Sequence, residues 1–261
     1  QAGINVLGSH YNFSTLDINL VHSFQSKSKN FLLRPSLNYR SAVYDDTPYY
    51  TSTSNESGTG LLNARQRLND ISTSLKADWT INKIRLIGSL RLDKYNMPDD
   101  FYISYLAAAN YIPHSNHFLR VSYAKSNQSP FFTNILANYQ SQLFPAADPS
   151  VSAQVNINGN PNLALLEAKT LEMAYRVKLS QSWQVELEAF YTEAEDFNKI
   201  EQSNSLTLGS PNIFVTTFDR INAQMQASQV GLTFSTEYTA ENTKISIFGT
   251  FQQSRLRNYS P

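Results

Sequence analysis

Residues 183–191 read WQVELEAFY. Taken in steps of two, Trp183, Val185, Leu187, Ala189 and Tyr191 are apolar, and Glu186 and Glu188 lie between them. That is the pattern of a strand with one apolar and one polar face. A helical stripe through Trp183, Leu187, Phe190 and Tyr191 competes with it, and Glu, Leu and Ala favour helices. The helical reading leaves Val185 on the polar side. The neighbouring segments decide the matter. KIRLIGSLRL (83–92) carries Gly88 and Ser89 in mid-run, and VGLTFSTEY (230–238) is rich in β-branched and aromatic residues. Neither suits a helix, so the ambiguous stretch is read as a strand among strands.

The same alternation recurs along the chain and predicts ten strands, roughly 10–25, 31–44, 66–80, 83–95, 100–111, 117–126, 167–180, 183–198, 213–238 and 243–255. At 11–16 residues, most exceed the usual strand of about 5–6. The connections alternate in length. Short polar ones follow Phe24, Thr80, Ile112, Leu179 and Thr239, and longer ones cover 45–65, 127–166 and 199–212, with the brief NMPDD (96–100) among them. Alternation alone fits either a soluble sandwich or a membrane barrel. Strand length and the one-sided placement of long loops favour the barrel: an all-β, antiparallel, up-and-down transmembrane sheet.

Composition is consistent with this and excludes several alternatives. Lys plus Arg equals Asp plus Glu at 21 each, so no bulk positive field points to nucleic acid. The absence of cysteine removes disulfides, thiolate catalysis and Cys-ligated metals. There is no run of about 18 apolar residues, hence no transmembrane helix, which leaves barrel strands untouched. No signal peptide opens the chain at Gln1, so an exported protein would be represented here by a mature or internal piece.

Aromatic residues cluster beside the short turns. Phe24 and Phe31 flank the first, Trp79 precedes the second, Tyr111 lies before the third, Trp183 follows the fourth and Tyr238 precedes the fifth. They are read as interfacial aromatics of a membrane girdle. Phe118 departs from this scheme, its parity opposing Leu119, Val121 and Tyr123. The polar parity supplies candidate lumen-lining residues: Arg34 and Arg40, Lys76 and Asp78, Arg85 and Arg91, Glu172 and Arg176, Glu186 and Glu188, and Glu237. Glu186 and Glu188 stand about 6–7 Å apart on a strand face, but no nucleophile or oxyanion motif accompanies them. Their expected role is cross-strand pairing with Arg176 and Lys178. His114 and His117 lack a further nearby ligand, and Asp45–Asp46 and Asp99–Asp100 lack the oxygen-rich spacing of a calcium loop. No P-loop, dinucleotide fingerprint or hydrolase elbow occurs. No enzyme, metal or cofactor is expected.

Four segments resemble TonB-dependent outer-membrane receptors, in the order that family shows. HFLRVSYAKSNQSPFF (117–132) is similar to its LRASYGRGFRAPS strand, and GNPNLALLEAKTLEMAYRVKL (159–179) to its GNPNLKPE…ELGYRY segment. WQVELEAFYTEAEDFNKI (183–200) resembles SLSAFYNDIKDLI, and DRINAQMQASQVGLTF (219–234) resembles YVNAGKARIYGVEL. The resemblance runs from about 66 to 255. It departs where Ala164-Leu165-Leu166-Glu167 replaces the usual Lys-Pro-Glu, and where Lys125-Ser126-Asn127-Gln128 replaces the Arg-Gly-Phe-Arg portion. It implies a barrel of 22 strands, of which about ten are here, so residues 1–261 are expected to be a partial barrel without plug domain or closing strands. It further implies capture of a scarce solute (an iron siderophore, cobalamin or glycan) and energy from TonB through an N-terminal part. The implied partners are outer-membrane lipid, the plug and remaining strands, TonB and a small solute. The ligand-facing candidates are Phe131, Phe132, Tyr139 and Phe144, which could equally pack their loop upon itself. A barrel without coupled transport (adhesin, phage receptor or passive pore) and a soluble β-rich binding module are the alternatives.

Overall fold

A computed structural model describes residues 11–47, 60–62 and 64–258. Residues 48–59 of the expected 45–65 loop, His10 and the final 259–261 lie outside them. The strands are β1 (Asn12–Val21), β2 (Phe24–Gln25), β3 (Phe31–Asp45), β4 (Arg65–Ile81), β5 (Ile84–Tyr95), β6 (Phe101–Tyr111), β7 (His117–Gln128), β8 (Asn138–Gln140), β9 (Phe144–Pro145), β10 (Val151–Asn158), β11 (Leu166–Lys178), β12 (Trp183–Glu195), β13 (Asn198–Thr207), β14 (Asn212–Asn222), β15 (Gln226–Ala240) and β16 (Thr243–Arg257). One short helix, α1 (Phe132–Leu136), precedes β8.

Ten long strands form one antiparallel sheet in the order β1-β3-β4-β5-β6-β7-β11-β12-β15-β16, with β2 added beside β3. Each long strand pairs with the next long strand in the chain, the up-and-down arrangement. Short turns join β4 to β5, β6 to β7, β11 to β12 and β15 to β16. The two-residue turn from β4 to β5 uses Asn82 at φ 50°, a left-handed conformation that Asn tolerates. The WQVELEAFY strand is β12, paired with β11 on one side and β15 on the other.

Burial in this sheet is inverted relative to a soluble protein. Leu90 and Met173 are 55% and 56% exposed, whereas Ser72, Asp93 and Ser122 are 4%, 4% and 3% exposed. Directly opposed residues share a face, so the ladder carries this parity across every strand. The small apolar core sits at the long-loop end instead, where Leu62, Ile135 and Leu136 are buried against Tyr44, Leu68, Met97 and Phe132. Asp46, 1% exposed, fastens the chain there by accepting the Leu62 N–H (2.6 Å) and the Ala64 N–H (3.1 Å).

Two sequence expectations are corrected. The single strand 213–238 is two strands, because the chain leaves the wall at Ala223–Met225: β15 lies in the wall, but β14 pairs in parallel with β10. The expected loops 127–166 and 199–212 are largely structured. They supply β8, β9, β10 and β13, which with β14 make a five-stranded second sheet, ordered β13-β14-β10-β8 with β9 on β10. Asn222 marks the switch. Its carboxamide accepts the Ala164 N–H (2.9 Å) and donates to Asn162 O (3.4 Å), holding β14 against the GNPNL segment.

Candidate functional site

The apolar face of the wall ends sharply. Along β12 it runs Trp183, Val185, Leu187, Ala189, Tyr191 and then changes to Glu193 and Glu195. Along β11 it runs Val177, Tyr175, Met173, Leu171 and then changes to Lys169 and Glu167. From Trp183 to Tyr191 is eight residue steps, about 27 Å of strand at ~3.4 Å per residue. Tilted by ~40°, this covers about 21 Å, and the side chains extend it towards the ~25 Å apolar band of a membrane barrel.

All six expected interfacial aromatics lie on this face. Phe31 is directly opposite Trp79, and Trp183 directly opposite Tyr238. Tyr111 faces Ile84 and Leu119, and Phe24 faces Leu33. The Trp183 indole N–H donates to the Thr236 hydroxyl at 2.7 Å. A second aromatic row escaped sequence reading: Tyr105, Tyr123 and Tyr191 stand where the band meets the charged residues, with Tyr105 and Tyr123 ring centroids 5.9 Å apart. Its signal was the shared apolar parity at the long-loop ends of β6, β7 and β12.

The other face gathers every candidate lumen residue. Arg34 opposes Lys76, and Arg40 opposes both Asp17 and Asp70. The Arg85 Nε donates to Asp78 (2.9 Å), and the Arg91 Nε to Asp93 (2.8 Å). Arg176 grips Glu186 through two bonds (2.9 and 3.2 Å), the cross-strand pair expected from sequence. Ser122 donates to Glu172 (2.9 Å), and Lys244 sits 3.1 Å from Glu237. Glu188 faces Ala174 and Thr233 rather than Lys178, which faces Gln184. Phe118 is accounted for as well: its ring lies on the polar face, 5.5 Å beneath the Arg176 guanidinium.

The four loop aromatics do not form one site. Phe132 stacks on Tyr44 (4.3 Å, 12°) and contacts Tyr11 (5.2 Å), while Phe13 lies 5.0 Å from Tyr44. Tyr44 and Phe13 belong to the polar face, so this is an aromatic cluster at its long-loop end. Phe131 is 75% exposed beside it. Tyr139 opposes Ile157, and Phe144 opposes Ala153, both within the second sheet. Sequence reading missed Tyr11, Phe13 and Tyr44, whose alternation looked like ordinary strand ends.

The remaining titratable candidates have local structural uses. His117 Nδ1 shares a 2.7 Å hydrogen bond with the Tyr175 hydroxyl. Asp45 accepts from Thr47, Asp99 pairs with Lys94, and Asp100 accepts the Phe101 N–H. In the second sheet the Ser150 N–H and hydroxyl hold the Asp148 carboxyl below its ordinary pKa. At the turn from β12 to β13, burial pushes the Asp196 carboxyl up, aided by Glu195 and Glu167. Among the described residues no group of three His, Cys, Asp or Glu could hold a metal ion.

Comparison with solved structures matches the wall to iron-uptake receptors. The siderophore receptor PirA from Acinetobacter baumannii superposes at TM-score 0.71 with 13% identity, over 93% of this chain and 37% of that one. The ferric enterobactin receptor PfeA from Pseudomonas aeruginosa, solved with enterobactin, gives 0.68 and 15%, over 93% and 36%. The FrpB iron transporter from Neisseria meningitidis gives 0.61 and 13%, over 94% and 36%. The chain thus spans a little over a third of the length of these structures. No curated protein matches it by sequence. The family model described as TonB dependent receptor-like, beta-barrel, matches residues 2–253. The chain therefore belongs to the TonB-dependent receptor β-barrel family, whose members are outer-membrane proteins.

Proposed function

We propose that this chain is part of the wall and the outer vestibule of a receptor for TonB-coupled uptake of a scarce solute. Siderophore-bound iron is the first class to test. The observation that carries the reading is the aromatic cluster of Tyr11, Phe13, Tyr44 and Phe132. It lies at the long-loop end of the polar face, beside a second sheet that only the long loops build. Aromatic faces gathered at the end of a rigid wall, Phe13 and Tyr44 on its strands and Phe132 on α1, are suited to capturing a small organic ligand. That PfeA was solved with enterobactin supports the ligand class.

In this reading the apolar face meets lipid and the polar face lines the lumen. β1 and β16 end the sheet without pairing to each other, and open edges are not tolerated in hydrocarbon. Further strands therefore close the barrel, a plug domain fills it, and TonB acts through the N-terminal part.

Cells carrying the full-length receptor, with and without TonB, would be given labelled ferric siderophores, cobalamin and oligosaccharides. TonB-dependent uptake of one class is expected, and it should fall in a Tyr44→Ala/Phe132→Ala variant. Uptake that ignores TonB for every class would favour a barrel without coupled transport.

A further inference from the structure

The second sheet has one apolar face. Across it, Phe144 on β9, Ala153 on β10 and Phe214 on β14 stand in one row, and Tyr139 on β8, Ile157 on β10 and Phe218 on β14 stand in another. β13 extends this face with Ile200 and Leu206, and these two and Phe214 are exposed. The opposite face carries Ser152, Gln154, Asn156 and Asn158 of β10, with Asp219 and Glu201 beyond them. Tyr139 and Phe144, which looked from sequence like unrelated loop aromatics, thus share one surface.

Among the described residues of this face one is charged. Arg220 lies opposite Ile200, two residues beyond Phe218. Its surroundings are fixed on three sides. Asn198, on the same face, accepts from Asn134 of α1 (3.3 Å), Gly159 abuts the backbone of Ile135 and Ala137, and Asn222 holds the GNPNL segment. In this setting the Arg220 Nε is buried and meets no acceptor, and the guanidinium makes no ion pair among the described residues. The nearest acids in the ladder, Asp219 and Glu201, sit on the opposite face, where Asp219 accepts from Asn158 (2.9 Å). A cation on an apolar surface with a buried N–H unmet is costly, and an anionic acceptor would recover that cost.

We infer that Arg220 binds an oxyanion carried by the solute, while the flat apolar body of that solute lies along Phe218, Ile157 and Tyr139. A guanidinium offers paired donors that match a carboxylate, and such charge-assisted bonds are stronger than neutral ones. The apolar surface beside it excludes water and strengthens the attraction. α1 joins this face to the Tyr44–Phe132 stack, because Phe132 and Asn134 stand two residues apart on it. The inference rests on the uptake reading and narrows it: the solute is an anion with an aromatic body, not a neutral glycan. Arg220 is then the residue that sets the charge preference of the vestibule.

The test uses the full-length receptor in dodecyl maltoside micelles. Its probes are salicylate and salicylamide, matched in shape and different in charge, with affinities read by saturation-transfer NMR. The parent should bind salicylate about tenfold more tightly than salicylamide. Arg220→Gln should abolish that preference and leave salicylamide binding unchanged. Arg220→Lys, which keeps the charge but not the paired donors, should retain a preference of about threefold and guards against misfolding of the neutral variant. No preference in the parent, or an undiminished one in the glutamine variant, overturns the inference. Equal loss of both probes in that variant would make Arg220 a structural support and also overturns it. Displacement of salicylate by equimolar sulfate would mark a site for free inorganic anions, with the same consequence. These ratios are read without TonB, so uptake that ignores TonB would count against the transport reading alone.

Discussion

Leu187 is the third of five outward apolar positions on β12, so it lies nearest the middle of the band. It faces Tyr175 on β11 and Phe234 on β15 and is 42% exposed on the wall's surface. If that surface meets hydrocarbon, Leu187→Arg places a guanidinium at the bilayer midplane and should cost about 2–4 kcal/mol. Tyr191→Arg, two outward positions higher and next to Glu193, should cost only about 0–1 kcal/mol. Glu188→Arg, one residue from Leu187 but on the polar face beside Ala174 and Thr233, should change stability by less than about 1 kcal/mol. In a soluble sandwich the order would differ, because Leu187 would occupy a dry core and Tyr191 would share its fate. The assay is reversible guanidinium unfolding of the full-length receptor in lipid vesicles, followed by tryptophan fluorescence. Equal losses for Leu187→Arg and Glu188→Arg, or no difference between Leu187→Arg and Tyr191→Arg, would refute the assignment of faces.

Gly231 lies under the Phe190 ring, where an added Cβ would stand 2.3 Å from Cζ. Gly231→Ala should therefore destabilise the wall by about 1–3 kcal/mol, and Phe190→Leu should recover part of that loss in the same unfolding assay. Gly159 faces backbone: a Cβ would meet Ile135 C and O and Ala137 N at 2.6 Å. Gly159→Ala should push α1 away from β10 and weaken the Gly159 N–H···O=C bond to Ala137, read as faster protease cleavage within 129–165 while the wall stays intact. Arg176 and Glu186 are both partly exposed, so their coupling in a double-mutant cycle should be about 0.5–1 kcal/mol. A coupling near zero would mean that the two bonds are not held in membrane.

The wall was legible because its signal repeats. A period of two survives the inversion of inside and outside, since lipid on one side and a polar interior on the other still demand alternation. Phe118 shows the limit of that reading. Parity alone made it an exception, and only the register, which sets it opposite Arg176, shows what an aromatic ring does on the polar face. Glu186 and Glu188 show a related limit. Both stand on the polar face of β12, yet only Glu186 meets its basic partner, because a shift of two residues along β11 separates a salt bridge from a contact with Ala174.

The second sheet was illegible for a different reason. β13 and β14 form a hairpin, but β14's other neighbour is β10, which lies more than fifty residues earlier and runs parallel to it. No local pattern specifies such a contact. The residues that hold it are polar: Asn160, just past the end of β10, donates to Arg220 O (3.1 Å), Asn158 at the end of β10 to Asp219 (2.9 Å) and Asn134 of α1 to Asn198 (3.3 Å). In sequence such asparagines look like loop residues, and a run of them argues for irregular chain. In the structure they join α1, β10, β13 and β14 by side-chain hydrogen bonds. GNPNL thus has a physical role beyond resemblance: it is the strut that fixes the second sheet at the head of β11, with its own Leu163 and the following Leu165 buried at 0% and 1% exposure. The loop sheet is tied to the wall by these hydrogen bonds, by Leu163 and Leu165, and by the small core of Ile135 and Leu136 against Tyr44 and Leu68, a smaller set of contacts than the ladders of the wall, so local opening there costs less than unfolding the wall. On the proposed reading, outer loops that admit a ligand would draw on that difference.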